Sequence, residues 1–387
     1  MRRRRARRHW SDAATLATSP VAALDLGTNN CRLLVARPEG TQFQVMDAFS
    51  RAVRLGEGVE VTNRLSDVAQ DRAMKALRIC ASKIQHHRVR DTRIVATEAC
   101  RRAVNGADFA ARVREETGLS LDIITPEEEA RLAVAGCAPL VDKSAEQLLV
   151  FDIGGGSTEL IWIDMSGTAP ERRRELVQAI APSGRVEISA VRQAKERITD
   201  WISVPIGVTT LHDRFSSIVD DQERFAIMSW HFEQRLAPFG PYDREGSGDL
   251  MRDLQIVGVS GTATTFGALH LGLRRYDRNQ VDGLWLPGRR AGEVADTILG
   301  MDRETRVQHP GIGMRRADLV VSGAAILMTV LRVWPVSRMR IADRGLREGM
   351  LYGLIGARRA VSLAKGKTHR EQNSMPETAK TQTRKAR

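Results

Sequence analysis

One short pattern occurs twice in the chain, and this repetition limits the possible fold more than any other feature. The segment VAALDLGTNNCRLLV begins at Val21, and QLLVFDIGGGSTELIWID begins at Gln147. Each copy consists of an apolar strand, an Asp followed by glycine and small polar residues, and a second apolar strand. We interpret the two copies as an internal duplication, which predicts two similar α/β domains.

The rest of the chain alternates between helical and strand patterns. Residues 66–87 and 108–117 have helical apolar spacing, and the strand-like segments TRIVAT and LDIIT follow them. PEEEARLAVAGC is expected to begin a helix, with Thr125 as N-cap and Pro126 in the first turn. LQIVGVSGTATTFGALHLG predicts strand, turn and helix, and two more helices are expected at 316–331 and in GLREGMLYGLIGAR. This alternation predicts α/β architecture with largely buried sheets.

The net charge of +12 on 387 residues belongs to the two ends of the chain. Six arginines against Asp12 give residues 1–20 a charge of +5, and nine Lys or Arg against two Glu give residues 358–387 a charge of +7. The body between them is therefore neutral. We expect two disordered basic tails that act mainly as solubilising segments, with nonspecific nucleic-acid contact as the alternative.

Cysteine usage and hydropathy indicate where such a chain works. The four cysteines are scattered and form no Cys-x-x-Cys pair, so zinc is not expected. No apolar segment follows the basic N-terminal run, so it is not a signal peptide. The longest apolar run, at 319–331, is too short to span a bilayer. These features predict a cytoplasmic protein without a membrane span.

The glycine-rich turns are the candidate phosphate-binding elements. Glycines lack a Cβ, so backbone N–H groups can approach an anion, and hydroxyl groups add further donors. A turn between strand and helix places further N–H groups at a helix N-terminus. The candidate phosphate-binding residues of the three turns are Thr28 and Asn29; Gly154, Gly155, Gly156, Ser157 and Thr158; and Ser260, Gly261 and Thr262.

Carboxylates flank the second of these turns. Asp152 ends a buried strand, where a lone carboxylate is costly unless it is paired or bound to a metal, and Glu159 opens the next strand. A carboxylate pair beside a phosphate cradle suits Mg²⁺, which prefers oxygen ligands shared with phosphate. Residues 127–129 are three further acids, which by composition alone are most often a solvated helix start.

The ordered set of motifs resembles the exopolyphosphatase / guanosine pentaphosphate phosphohydrolase family, within the superfamily of sugar kinases, actin and heat-shock ATPases. The set is LDLGTNNCRLLV, RLGEG, ATEACRRAVN, TPEEEARL, FDIGGGSTEL, PIGVTTL, GVSGTATT, RRADL and GLREG. The resemblance implies two actin-like (ribonuclease H-like) domains with a cleft between them. Domain I would comprise residues 21–125, with a helix at 346–357 packing back on it, and domain II residues 126–345.

The resemblance also implies roles for single residues. Glu128 corresponds to the acid that activates water, with Glu129 next in line if the register differs by one. Arg101 corresponds to an arginine that reads phosphate. Asp25, Asp152 and Glu159 correspond to the acids that hold Mg²⁺ or Mn²⁺. Three residues depart from the family pattern: Asn30, Cys31 and Glu98, the last of which places an extra carboxylate near Arg101.

The function implied is release of terminal orthophosphate from inorganic polyphosphate or guanosine pentaphosphate, by a short form without the additional helical domain of long exopolyphosphatases. Two alternatives remain open at this point. One is a kinase or ATPase of the same superfamily, and the other is a protein that binds polyphosphate or the alarmone without turnover. A homodimer is expected because dimers are common in the family.

Overall fold

The computed structural model describes residues 18–181, 189–242, 253–314 and 316–359. The predicted basic tails fall outside the described residues, except for residues 18–20 and 358–359. The described chain is α/β, as predicted. None of the described helices is long and apolar enough to cross a membrane.

Eleven strands in the described residues form two sheets. The strands are β1 (Val21–Leu26), β2 (Asn30–Glu39), β3 (Gln42–Ala52), β4 (Asp91–Ala96), β5 (Asp122–Ile123), β6 (Gln147–Ile153), β7 (Thr158–Asp164), β8 (Ile198–Val204), β9 (Leu254–Val259), β10 (Trp285–Pro287) and β11 (Arg338–Ala342). The first sheet has the order β3-β2-β1-β4-β5, and the second has the order β8-β7-β6-β9-β11-β10.

The two sheets share strand order and strand direction. In the first sheet, β1–β3 form an antiparallel meander, and β1 is followed on its other side by the parallel strands β4 and β5. In the second sheet, β6–β8 form the same meander, and β6 is followed by the parallel strands β9 and β11. The second sheet has β10 as an additional antiparallel edge strand. Two actin-like units are therefore present, as the repeated hairpin predicted.

Helices cover both sheets. They are α1 (Val59–Thr62), α2 (Asp67–His86), α3 (Glu98–Arg102), α4 (Gly106–Thr117), α5 (Pro126–Cys137), α6 (Arg173–Ala179), α7 (Ser189–Lys195), α8 (Val208–Arg214), α9 (Asp221–Glu233), α10 (Ser260–His270), α11 (Arg278–Val281), α12 (Gly288–Gly300), α13 (Arg303–Gln308), α14 (Val320–Val333) and α15 (346–359). Short 3₁₀ helices lie at Ala138–Leu140, Pro170–Arg172 and Gly240–Tyr242.

The element boundaries agree with the sequence expectations where local signals are strong. Thr125 caps α5 by accepting a hydrogen bond from the Glu128 backbone N–H at 3.2 Å, and Pro126 stands in the first turn. The helix expected at 316–331 begins only at Val320. The strand expected in LDIIT shrinks to Asp122–Ile123, because only these residues pair with β4.

Helix α5 lies between the two sheets and is crossed by α15. A Cβ on Gly349 would stand 1.9 Å from the Leu132 carbonyl oxygen, and one on Gly136 would stand 2.0 Å from the Gly345 carbonyl oxygen. Only glycine permits such an approach of two backbones. Residues of α15 pack in one buried cluster with β1, β2 and α5, including Leu346, Met350 and Leu351. The crossing therefore fixes the middle and the C-terminal half of α5 against the start of α15.

Candidate active site

A single cleft between the two sheets collects residues from all three glycine-rich turns. The β1–β2 and β6–β7 hairpins line it from opposite sides, and the β9–α10 turn closes one wall. Of the candidate phosphate-binding residues, only Thr158 does not line the cleft. Its hydroxyl group instead donates to the Ile206 carbonyl at 2.7 Å, and the side chain is fully buried. The Thr158 side chain is therefore turned away from the cleft, and its contribution to phosphate binding stays a prediction.

The tips of the two hairpins touch each other across the cleft. A Cβ on Gly156 would stand 2.9 Å from the Thr28 hydroxyl oxygen, and one on Gly155 would stand 3.1 Å from the Thr28 Cβ. The glycines are thus required for close approach of the opposite hairpin, in addition to any contact with an anion. The sequence analysis considered only the anion.

The backbone of the second hairpin is oriented by helix α8. The carbonyl groups of Gly154 and Gly155 accept hydrogen bonds from the N–H groups of Val208 and Thr209, at 3.0 and 2.8 Å. The N–H groups of Gly155 and Gly156 have no hydrogen-bond partner in the part of the chain that the structure describes. Donors held in place and without a partner are suited to binding phosphate oxygens.

The β9–α10 turn supplies a second set of donors. Ser260 has a φ of 100°, a conformation that non-glycine residues rarely adopt. Ser260, Gly261 and Thr262 all line the cleft at the first turn of α10. Arg316 lies against the same turn and donates to the Thr265 hydroxyl oxygen at 2.6 Å. The turn therefore combines a helix N-terminus with a guanidinium group.

Three buried carboxylates lie at the roots of the two hairpins. Burial raises the pKa of Asp152 to about 6 and the pKa of Glu159 to about 7, and it also raises the pKa of Asp25. Asp152 and Glu159 are direct partners in the β6–β7 ladder, so they share one end of the hairpin. Glu159 accepts a hydrogen bond from the Ser203 hydroxyl group at 2.9 Å.

These carboxylates do not form a closed metal-binding cage. Among the described residues, no group of three or more carboxylate, imidazole or thiol side chains is close enough to hold a metal ion. The expected trio of Asp25, Asp152 and Glu159 is therefore not assembled by protein groups alone. Asp25 belongs to one sheet and the other two to the second sheet.

The start of α5 places its adjacent glutamates in different environments. Glu128 is 27% exposed, lies outside the cleft and accepts a hydrogen bond from Arg93 at 2.6 Å. Glu129 is 13% exposed and lines the cleft. The resemblance implied that Glu128 lies at the glycine-rich turns. In the structure Glu129 lies there instead, because successive helical positions differ by about 100°.

The environment of Glu129 is that of a carboxylate with a strong tendency to hold a proton. Burial and then the negative charge of Glu159 raise the pKa of Glu129 well above its usual value, although Arg101 opposes this shift. Perturbed carboxylates in a cleft are typical of functional sites. Of the three glutamates in the TPEEEARL motif, Glu129 is the one that lines the cleft.

Arg101 contacts carboxylates that line the cleft and does not itself lie at the cleft surface. Its guanidinium donates to Glu98 at 2.6 Å, to Glu129 at 3.2 Å and to the Ile124 carbonyl oxygen at 2.7 Å. Burial alone would lower the pKa of Arg101. The negative charges of Glu129 and Glu98 outweigh this effect, so the pKa of Arg101 is raised. Because Arg101 does not line the cleft, its role in reading phosphate stays a prediction.

Four arginines to which the sequence assigned no role line the cleft: Arg32, Arg316, Arg344 and Arg347. The last two lie within salt-bridge distance of carboxylates, whereas Arg32 on β2 and Arg316 beside α10 have none that close among the described residues. Burial and then the charge of Arg32 lower the pKa of Arg316, so the two cations lie near each other. Two unneutralised guanidinium groups in one cleft indicate an anion site.

The duplication contained a signal for Arg32. Arg32 pairs with Asp25 in the β1–β2 ladder as Glu159 pairs with Asp152 in the β6–β7 ladder. The same position thus carries opposite charges in the two copies. Arg316 gave no comparable local signal, because α10 and the segment before α14 meet only in the folded chain.

Comparisons with known proteins identify similar sequences and structures. Residues 34–358 match the sequence model of the Ppx/GppA phosphatase family. A crystal structure of the Aquifex aeolicus member of the Ppx/GppA protein family is 27% identical, covers 86% of this chain and 96% of that chain, and has a TM-score of 0.65. A crystal structure of an exopolyphosphatase-like protein is 28% identical, covers 88% and 99%, and has a TM-score of 0.72.

An exopolyphosphatase from Cytophaga hutchinsonii shares the fold at lower identity. It is 22% identical, its alignment covers 87% of this chain and 98% of that chain, and the TM-score is 0.72. The three structures are matched over nearly their whole lengths.

Proposed function

The chain belongs to the Ppx/GppA phosphatase family, and we propose that it hydrolyses the terminal phosphoanhydride of inorganic polyphosphate or guanosine pentaphosphate. The observation that carries the proposal is the position of Glu129. It is a buried carboxylate of raised pKa that lines the same cleft as three phosphate-binding turns. A kinase and a hydrolase both need the turns and a carboxylate that activates the nucleophile, so it is the match to a phosphatase family that favours water as the nucleophile.

In this proposal, different residues of the cleft bind phosphate, neutralise charge and activate water. The free N–H groups of Gly155 and Gly156 and the β9–α10 turn hold phosphate oxygens, while Arg32 and Arg316 neutralise the charge of the chain behind the terminal phosphate. Glu129 accepts a proton from water as the water oxygen attacks the terminal phosphorus. The bond from that phosphorus to the bridging oxygen breaks, which yields orthophosphate and a chain one phosphate shorter.

A divalent cation fits the acidic end of the cleft. Glu159 is buried and Asp152 is partly buried, and neither has a basic side chain within salt-bridge distance among the residues that the structure describes. No third protein ligand completes the site among the described residues. Mg²⁺ or Mn²⁺ can bind through one or two carboxylates, with water and phosphate as its other ligands, so the site suits either ion. When bound, it would neutralise developing charge on the phosphate oxygens. Asp25 lines the same cleft and would add negative charge beside a cation held by Asp152 and Glu159.

Orthophosphate release from the two substrates tests the proposal. The glutamates at 128 and 129 form a matched pair, because they are neighbours on one helix and only the second lines the cleft. We expect Glu129→Gln to lower kcat by about 10²- to 10⁴-fold, the usual contribution of a general base. Glu128→Gln should retain kcat within about twofold, because its partner Arg93 lies outside the cleft.

Other results would favour other functions. Full activity of Glu129→Gln would contradict the assigned base. Consumption of ATP that depends on a small acceptor would favour the kinase, and tight binding without phosphate release would favour a sensor. A side-by-side comparison of kcat/KM on polyphosphate and guanosine pentaphosphate decides between the substrates, which present the same terminal anhydride.

A further inference from the structure

Glu98 is an acidic residue of the cleft for which the proposed function has so far no use. It opens helix α3 and lines the cleft between the two hairpins. A Cβ on Gly156 would stand 3.1 Å from the Glu98 Cγ, so this side chain touches the hairpin that carries the free N–H groups. A carboxylate at this place would repel a terminal phosphate unless it has a partner of its own.

The partner is Arg101, which Glu98 shares with Glu129. Glu98 Oε2 accepts from Nε of Arg101 at 3.1 Å and from Nη2 at 2.6 Å. Glu129 Oε2 accepts from Nη1 and Nη2 of the same guanidinium at 3.2 Å each. With Nη1 also bonded to the Ile124 carbonyl oxygen, all three nitrogens are occupied by protein groups. Arg101 is therefore a clamp that holds two carboxylates side by side.

Each clamped carboxylate uses only one of its oxygens in this contact. Oε1 of Glu98 and Oε1 of Glu129 have no hydrogen-bond partner within the described ranges of the chain. Both side chains line the cleft. Two acceptors that are fixed by one rigid guanidinium and lie beside the phosphate-binding hairpin can bind both hydrogens of one water molecule.

We propose that Glu98 is a second water-positioning carboxylate, which accepts one hydrogen of the attacking water while Glu129 accepts the other. The inference rests on the proposed hydrolysis. The hydrogen bound to Glu98 stays on the oxygen that attacks phosphorus, and the proton that leaves goes to Glu129. Glu98 thus orients the lone pair of the water along the line of attack, and no further reactant is needed.

Kinetics of Glu98→Gln and Glu98→Ala test this role, with orthophosphate release as the readout. We expect kcat to fall about 10- to 100-fold in both variants, as misplacement of a reactant does. KM should stay equal or fall, because a negative charge that repels the substrate is removed. The matched control is Glu127→Gln, whose side chain is 53% exposed in the first turn of α5 and which should keep wild-type kcat.

Chemical rescue separates water positioning from a structural role. Added formate should restore part of the kcat of Glu98→Ala as its concentration rises, whereas chloride at the same ionic strength should not. Unchanged kcat in Glu98→Gln would overturn the inference, and so would a loss of kcat that comes with a raised KM, a lowered Tm and no rescue. Absence of orthophosphate release from the wild type would instead show that the proposed hydrolysis itself is wrong.

Discussion

Asp152 is the single residue whose burial has the clearest consequence for both stability and function. Its folded-state pKa of about 6 lies above its ordinary value of 3.8, so the folded chain holds a proton more tightly than the unfolded chain. Its contribution to the free energy of unfolding is therefore fully present below about pH 4 and is lost as the pH rises through about 6. At neutral pH the buried charge destabilises the protein unless a cation is bound.

Asp152→Asn should consequently raise the Tm of the metal-free protein at pH 7.5, by about 2 °C or more. If Mg²⁺ binds Asp152 in the folded state as proposed, millimolar Mg²⁺ should raise the Tm of the wild type and should have little effect on the variant. Differential scanning calorimetry measures both changes. A lower Tm for the metal-free variant would show that the charge of Asp152 is already compensated in the folded chain.

Asp164, at the other end of the same hairpin, is the control of opposite sign. Burial would raise the pKa of Asp164, but hydrogen bonds from Ser166 and Gln147 outweigh it and lower that pKa. Its stabilising contribution is therefore present above its ordinary pKa and is lost as the pH falls. Asp164→Asn should lower the Tm at pH 7.5.

At the scale of elements, the crossing of α5 and α15 decides which glutamate enters the cleft. The close contacts at Gly136 and Gly349 fix the rotation of α5 about its axis, and this rotation points Glu129 inward and Glu128 toward Arg93. A helix propensity alone contains no such information. The glycines of α15 therefore act on the site from a distance, through the position of a helix.

Gly349→Ala and Gly356→Ala test this crossing as a matched pair within α15. At position 349 the added methyl group would meet the Leu132 carbonyl oxygen at 1.9 Å, whereas at position 356 it would meet nothing within 4 Å. We expect Gly349→Ala to cost about 1–3 kcal/mol of stability or more and to lower kcat. Gly356→Ala should stabilise the protein by about 0.5–1 kcal/mol. Urea unfolding measures both, and equal effects would contradict the crossing.

At the scale of the whole molecule, an ion pair joins the two units. Glu60 on α1 accepts hydrogen bonds from Arg102 on α3 at 2.5 Å and from Arg214 on α8 at 2.7 Å. Only the contact with Arg214 connects the first unit to the second. We expect it to favour closure of the cleft around a substrate.

Arg214→Ala should leave the Tm nearly unchanged, because an exposed ion pair contributes at most about 1 kcal/mol. Loss of this contact, which contributes at most about 1 kcal/mol, would shift the cleft toward an open form. We therefore expect the kcat/KM of Arg214→Ala to fall by up to about fivefold. Arg332→Ala is the control, since Arg332 forms an exposed ion pair with Glu233 inside the second unit. If both variants have equal kcat/KM, the contact of Arg214 with Glu60 does not control closure.

The sequence by itself determined the α/β class, the duplicated hairpins and the positions of the three glycine-rich turns, because these depend on residues that are neighbours in the chain. The cap at Thr125 and the helix that it begins were predictable for the same reason. Only the tertiary structure decided that Glu129 rather than Glu128 lines the cleft, that Thr158 is turned away, and that Arg101 clamps Glu98. These outcomes depend on the rotation of α5 and on the contact between two sheets, which are set by packing of residues far apart in sequence.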